Sequence, residues 1–339
     1  MSNGNLLPPL GRRTVLAGLA TLCAANGRGH ADPPRLSLIE APCNLGLRPP
    51  RPRHEPGTWR APETLREQGL HAALMPASTV RLPRPTYRFE AQDGTRIRNG
   101  NELRRFSERL GASVRDALDG GTFPLVIGGD CSILLGCLLG ARAAGTVGLL
   151  HIDGHSDFFH PENYDTQARL GTAAGMDLAL ATGRGEPLLA SWDGRPLVED
   201  RNVVQLGERD ELDPDYAYRD IEETKIRRMP IREMLRSGIG TSVERALSSC
   251  GDPGRPLWLH LDLDVLDARV MPAVDSPGSP GLDFHQLATL LAGLLASKRV
   301  IGMNVGIYDP DLDPDRRHAR AIVASLTQGL APLRQRTGA

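Results

Sequence analysis

The largely apolar run Val147–Ile152 ends abruptly in Asp153, His155 and Asp157. Three side chains able to hold a metal thus sit two residues apart at the end of what reads as a buried strand. In a fully extended chain all three share one face. A bend after Gly154 would still leave them at one strand end. Carboxylate and imidazole together suit a divalent cation such as Mn or Zn. A polar loop after a core strand would give the same pattern, so other stretches must decide.

The 339-residue chain is 40% hydrophobic and 24% charged, which fits a soluble protein of one large or two ordinary domains. A net charge of −1 gives no reason to expect a nucleic-acid partner. No run of about twenty apolar residues occurs, so no permanent transmembrane helix is expected. Residues 1–31 contain no acid. Arg12-Arg13 precede a weakly apolar stretch, Thr14–Ala25, and Gly29-His30-Ala31 offers a small-residue end. This resembles a twin-arginine export signal, which implies a periplasmic or secreted protein; a cytoplasmic protein with an unstructured extension is the alternative. The remainder, 32–339, reads as a single domain. Cys43, Cys131, Cys137 and Cys250 show no zinc-ribbon or disulfide spacing. A Cys43–Cys250 bridge is conceivable in an oxidising compartment.

Short apolar runs alternate with helical patterns. Strands are expected at Arg35–Glu40, Phe123–Ile127, Val147–Ile152, Asn202–Leu206, Leu257–Leu263 and Arg299–Tyr308. Leu103, Phe106, Leu110, Val114 and Leu118 recur every three or four residues, so Asn101–Leu118 predicts an amphipathic helix. Further helices are expected at Ala61–Gln68, Ile133–Ala144, Met176–Ala181, Ile231–Gly238, Ser242–Ser249, Phe284–Ser297 and Arg316–Gly329. Pro42–Thr58 and Gly183–Glu199 read as loops, and Leu82–Asp93 as irregular. The strands lack clean polar alternation, which argues for a mainly parallel sheet covered on both faces, an α/β fold. Ligands of such sheets gather at the C-terminal strand ends.

Three of those ends carry chemistry. The first supplies Asp130 and Cys131. The second supplies Asp153, His155 and Asp157. The third supplies Asp262 and Asp264, with Asp267 shortly after. Burying paired carboxylates on an apolar strand is costly unless a cation compensates them.

With these motifs in order, residues 35–330 resemble the ureohydrolase family of arginase, agmatinase and formiminoglutamase. GGDCS is similar to the family's GGDHS, IDGHSDF to DAHxD, and HLDLDVLD to SxDxDxxDP; EAPCNLGL and LGERD also fit. The resemblance implies a three-layer α/β/α fold, two Mn2+ ions and a homo-oligomer of three or six chains. It implies one metal on Cys131, Asp153, Asp157 and Asp262, and another on Asp153, His155, Asp262 and Asp264. The two would lie about 3.5 Å apart and share a hydroxide. That hydroxide would attack the carbon of a guanidinium, with Asp157 passing its proton to the leaving nitrogen. Asp157 and His155 are therefore the candidate catalytic residues. The small-molecule substrate expected is a guanidino or amide-like compound.

The sequence also departs from the family pattern. Cys131 stands where arginase and agmatinase have a metal-binding His. A thiolate favours Zn2+ more than Mn2+, and a buried thiol without a ligand role is the alternative. Phe159, Ala174 and Ile307 replace an Asn, a His and a Glu that face the substrate in relatives. These replacements argue against an ordinary arginase and keep formimino or acylamino substrates, or a non-catalytic metal-binding protein, as alternatives. Asp213 and His160 are candidate substrate contacts, each with an ordinary loop residue as alternative. His151 and His260 are expected to support the ligands or to be buried in the core. Asp267 is expected to shape its loop, and Asp130 to bond nearby backbone.

Overall fold

The computed structural model describes Met1, residues 35–212 and residues 219–335. Asp213 and, apart from Met1, the expected export signal lie outside the described residues. Eight strands form one sheet: β1 Leu36–Ala41, β2 Ser78–Arg81, β3 Phe123–Gly128, β4 Gly148–Ile152, β5 Val203–Leu206, β6 Arg227–Met229, β7 Leu257–Asp262 and β8 Val300–Gly306. Their order is β2-β1-β3-β8-β7-β4-β5-β6, and every neighbouring pair is parallel.

Alternate residues of each central strand face opposite cores, as the strand period requires. Leu38, Leu125, Leu150 and Leu259 join one apolar cluster, and Ile39, Val126, Leu149 and Trp258 the other. Helices at Ala61–Glu67, Ile231–Ser237, Ile239–Ser249, Phe284–Ala296 and Arg317–Gly329 cover the first face. Helices at Gly100–Asp119, Ile133–Ala141 and Asp177–Ala181 cover the second. The chain is thus a three-layer α/β/α protein. On β7, Leu257, Leu259 and Leu261 are fully buried. Each contributes roughly 1.5–3 kcal/mol, which helps to offset the polar residues at that strand's end.

Two strands escape the sequence pattern. All four residues of β2 are exposed, and β6 is the three-residue segment Arg-Arg-Met. Both are sheet edges with one neighbour, so neither needs an apolar run. Short helices at Leu70–Leu74 and Pro187–Ala190 were also not expected, the latter inside the predicted loop Gly183–Glu199. The helix expected from Ser242 starts at Ile239. Cys43 and Cys250 are free thiols in opposite core clusters, so the conceivable bridge between them does not form.

The sheet order matters more than the element boundaries. After β3 the chain crosses to β4, and β7 and β8 return to fill the space between them. The C-terminal ends of β3, β7 and β4 therefore open onto one crevice, where open α/β sheets bind ligands.

Candidate metal centre

The residue after β3 is Gly129. A Cβ there would lie 1.7 Å from the carbonyl oxygen of Cys43, so only glycine fits this turn. Asp130 follows, and its carboxylate accepts from the backbone N–H groups of Gly46 (3.0 Å) and Ser132 (2.9 Å). It ties the loop together and leaves Cys131 to face the crevice. After β4 the chain bends. The amide of His155 donates to Asp153 Oδ1 at 2.7 Å, and Gly154 donates to Asp264 Oδ1 at 2.9 Å. Asp157 adopts φ +47°, a left-handed conformation that Asp tolerates better than most residues. After β7, the amide of Asp264 donates to Asp262 Oδ1 at 2.6 Å.

Side chains from the three strand ends then meet. The Cys131 thiol donates to Asp262 Oδ2 at 2.6 Å. His155 Nδ1 lies 2.8 Å from Asp264 Oδ2. Ligating atoms of Asp153, His155 and Asp264 lie within 4.8 Å of one another, as do those of His151, Asp153 and Asp157, and those of Cys131, His260 and Asp262. Of Cys131, Asp153, His155, Asp157, Asp262 and Asp264, none is more than 6% exposed.

The electrostatics of this cluster are unfavourable without a cation. Burial first, and then the neighbouring carboxylates, push Asp153, Asp157 and Asp262 well above the usual carboxylate range. Burial and the same acids raise the Cys131 thiol. Burial also acts to raise Asp264, but His155 and Arg209 outweigh it and hold its carboxyl low. Among the described residues no Lys or Arg lies within ion-pair distance of Asp153, Asp157 or Asp262. Asp153 Oδ2 is fully buried and accepts no hydrogen bond. Buried charge without a partner costs several kcal/mol, and a carboxylate, imidazole and thiolate donor set suits a first-row divalent metal. The residues fit a metal centre.

Cys131, His155, Asp157, Asp262 and Asp264 form the floor of a cavity of about 830 Å³. Phe159, Ala174 and Ile307 stand in its wall, as do Asn163, Tyr164 and three arginines, Arg48, Arg98 and Arg169. His160 is not among the lining residues: its Nε2 pairs with Asp220, and its ring meets Phe158 edge-on. The structure therefore separates this candidate substrate contact from the cavity. Asp267 accepts from the amides of Arg269 and Gly281 and from the Ser279 hydroxyl, which fixes its loop. His151 and His260 are wholly buried beside Asp153, within 3.9 Å of its Oδ2.

Several supporting residues escaped sequence reasoning. Asp177 is buried between His151 and His260, and Asn304 bonds His260 from the neighbouring strand. Arg209 threads past Gly154 and donates to the Asp264 carbonyl at 2.8 Å. A Cβ on Gly154 would meet the Arg209 guanidinium at 2.4 Å, which gives the Gly of IDGHSDF a local reason. Asp210 takes hydrogen bonds from the Ser156 amide (3.2 Å) and hydroxyl. LGERD was legible as a motif, but not which ligand each of its side chains would support.

The arginase family profile matches residues 35–331. The arginase of Bacillus caldovelox is 27% identical over 298 residues, spanning 85% of this chain and 95% of its own. The formimidoylglutamase of Aeromonas salmonicida is 28% identical over 296 residues, spanning 86% and 85%. The crystal structure of the B. caldovelox arginase superposes with a TM-score of 0.76 at 26% identity, covering 88% of this chain and 98% of that one. A Trypanosoma cruzi formiminoglutamase solved with Mn2+ superposes with a TM-score of 0.65 at 18% identity, a likeness of fold, covering 89% and 94%.

Proposed function

This chain belongs to the arginase family, and from that premise we propose that it is a hydrolase of a C–N bond in a guanidino or amidino compound. The observation that carries the proposal is the buried, uncompensated group of Asp153, Asp157 and Asp262 beneath an open cavity. One metal would be held by Cys131, Asp153, Asp157 and Asp262, and the other by Asp153, His155, Asp262 and Asp264. Mn2+ is the expected ion, with Zn2+ favoured at the Cys131 position. When bound, such a pair supplies a hydroxide nucleophile from water at neutral pH. Asp157 would take up a proton at its carboxylate and deliver it to the leaving nitrogen. His155 is held by Asp264 at 2.8 Å and fixes the other side of the floor.

The wall supports a substrate that also carries an acidic group. Arg48, Arg98 and Arg169 line the cavity, and none makes an ion pair among the described residues. Arg98 Nε is buried without a hydrogen bond, and Arg169 stacks over Phe159 and Tyr164 at 4.9 and 5.1 Å. Asp275 is the one acid of the described lining outside the floor. An amidinium would sit at the acids below and a carboxylate at the arginines above. Ile307 and Ala174 bring no polar side chain to the amidine end, which favours a formimino or acylamino substrate as the second reading.

Metal analysis of purified protein, followed by a screen for urea release against release of ammonia, formamide or a free carboxylic acid, tests the proposal. Urea supports the guanidino substrate; ammonia, formamide or a free carboxylic acid supports the alternative. No turnover above an Asp157→Ala control would leave a non-catalytic metal-binding protein. We further propose export through residues 1–31, tested by fractionating cells that express Arg12→Lys/Arg13→Lys. A trimer or hexamer is the proposed assembly, tested by light scattering.

A further inference from the structure

Behind Asp153 lies a buried polar row that the proposed chemistry does not use. His151 on β4, His260 on β7 and Asn304 on β8 are register partners on three adjacent strands. The imidazoles stack with centroids 4.8 Å apart and planes 19° apart. Asp177, the first residue of the helix Asp177–Ala181, caps the row. Every one of these four side chains is fully buried.

The direction of the hydrogen bonds at Asn304 and at His260 Nδ1 is determined. Trp258 Nε1 donates to Asn304 Oδ1 at 2.8 Å, and an indole nitrogen only donates. The Asn304 NH2 group therefore faces His260 Nδ1, at 2.7 Å. That ring nitrogen must accept, so His260 is neutral and carries its proton on Nε2. It follows that His260 Nε2 is a donor and not a metal ligand, although it lies among potential ligating atoms. This nitrogen lies 3.6 Å from Asp177 Oδ2 and 3.9 Å from Asp153 Oδ2, and is hydrogen-bonded to neither. His151 Nε2 lies 3.1 Å from Asp177 Oδ1, a hydrogen bond it donates when Asp177 is a carboxylate, and 3.9 Å from Asp153 Oδ2.

Two imidazole N–H groups thus stand between two carboxylates. Both are nearer to Asp177. Asp153 Oδ2, the oxygen they would otherwise cap, accepts nothing. We propose that Asp177 is a positioning residue for the metal centre: its carboxylate takes the Nε2–H of His151 as a hydrogen bond, attracts that of His260 by charge, and so keeps Asp153 Oδ2 open to a cation. The inference rests on the metal centre proposed above. Without Asp177 as acceptor, either N–H needs to move less than about 1 Å to reach hydrogen-bond distance from Asp153. An oxygen capped in this way competes with the metal. Asp177 lies in GMDLALA, which by pattern alone is only the start of a short helix.

The test measures Mn2+ binding directly, by calorimetry and by the electron paramagnetic resonance of free Mn2+, on the full chain. Asp177→Asn keeps the side-chain volume, removes the charge and leaves one acceptor oxygen for two N–H groups, so it is expected to weaken Mn2+ binding about 10–100-fold, as loss of a supporting partner does in other metal sites. Adding His151→Phe removes one of the two competing donors and is expected to recover a substantial part of that loss. A merely structural role for Asp177 predicts no recovery. Affinity of Asp177→Asn within about twofold of wild type, or a double variant no tighter than the single, overturns the inference and leaves the metal centre standing. Wild-type protein that binds no Mn2+ or Zn2+ overturns both. Should Asp177→Asn fail to fold, His151→Phe alone decides. Binding at least as tight as wild type supports the inference, and binding about tenfold weaker overturns it.

Discussion

Cys131 Sγ and Asp262 Oδ2 lie 2.6 Å apart although 131 residues separate them in the chain. The contact joins the end of β3 to the end of β7 across the crevice. A thiol there is raised by burial and by the acids around it, and metal binding requires it as thiolate. Replacing Cys131 by His is expected to raise the Mn2+ content of the purified protein relative to Zn2+, as measured by plasma mass spectrometry. An unchanged ratio would show that Cys131 is not a ligand. Asp262→Ala and Asp153→Ala are each expected to abolish stoichiometric metal binding, because each removes a carboxylate shared by the two proposed ion positions.

Removing the metal should make stability strongly dependent on pH. In the metal-free protein Asp153, Asp157 and Asp262 have carboxyl groups raised above their unfolded values, first by burial and then by each other. A raised acid holds its proton more tightly when folded, so stability falls as pH rises past the unfolded value of about 4 toward the folded one. Chelator-treated protein should therefore lose more Tm at pH 8 than at pH 5.5, relative to loaded protein at each pH. Equal losses would argue that these acids do not face one another uncompensated.

Asp157 is the proposed proton carrier, and Asp157→Asn removes that capacity with little change in volume. The expected loss in kcat is about 10²–10⁴-fold, the usual range for a general acid–base group. Because Asp157 is also a proposed ligand, bound metal is measured on the same samples, and the loss in kcat should exceed any loss of metal. Retention of most activity would move the proton transfer to another group.

Arg98 tests the substrate's charge. With an acid-bearing substrate, Arg98→Met should raise KM by about tenfold or more while kcat changes less, the signature of lost charge-assisted binding. A neutral or cationic substrate should show no such rise.

Asp267 supports structure and not chemistry. Its carboxyl is held low, chiefly by the Arg269 side chain, with further bonds from the Arg269 amide and Ser279. A depressed acid adds stability above its unfolded pKa and loses it as pH falls through the folded one. Asp267→Ala should cost roughly 1–3 kcal/mol at pH 7. The difference from wild type should shrink in denaturant titrations below pH 4.

The sequence by itself determined much of this protein. Apolar runs such as Phe123–Ile127 and Leu257–Leu263 marked buried parallel strands, because a strand covered on both faces has no polar side. Spacing at Asp262 and Asp264, and at Asp153, His155 and Asp157, marked strand ends that need a cation. These are local signals. The edge strands β2 and β6 left none, since an exposed edge needs neither apolar residues nor strict alternation. Tertiary structure alone decided which distant groups meet. Parallel register set His151 beside His260 and His260 beside Asn304, and the return of β7 between β4 and β8 brought Asp262 to Cys131. It also turned His160 toward Asp220 and carried Asp177 in behind Asp153. Spacing along the chain specifies which side chains share a strand end. Which of those ends face one another depends on strand order, which long-range packing fixes.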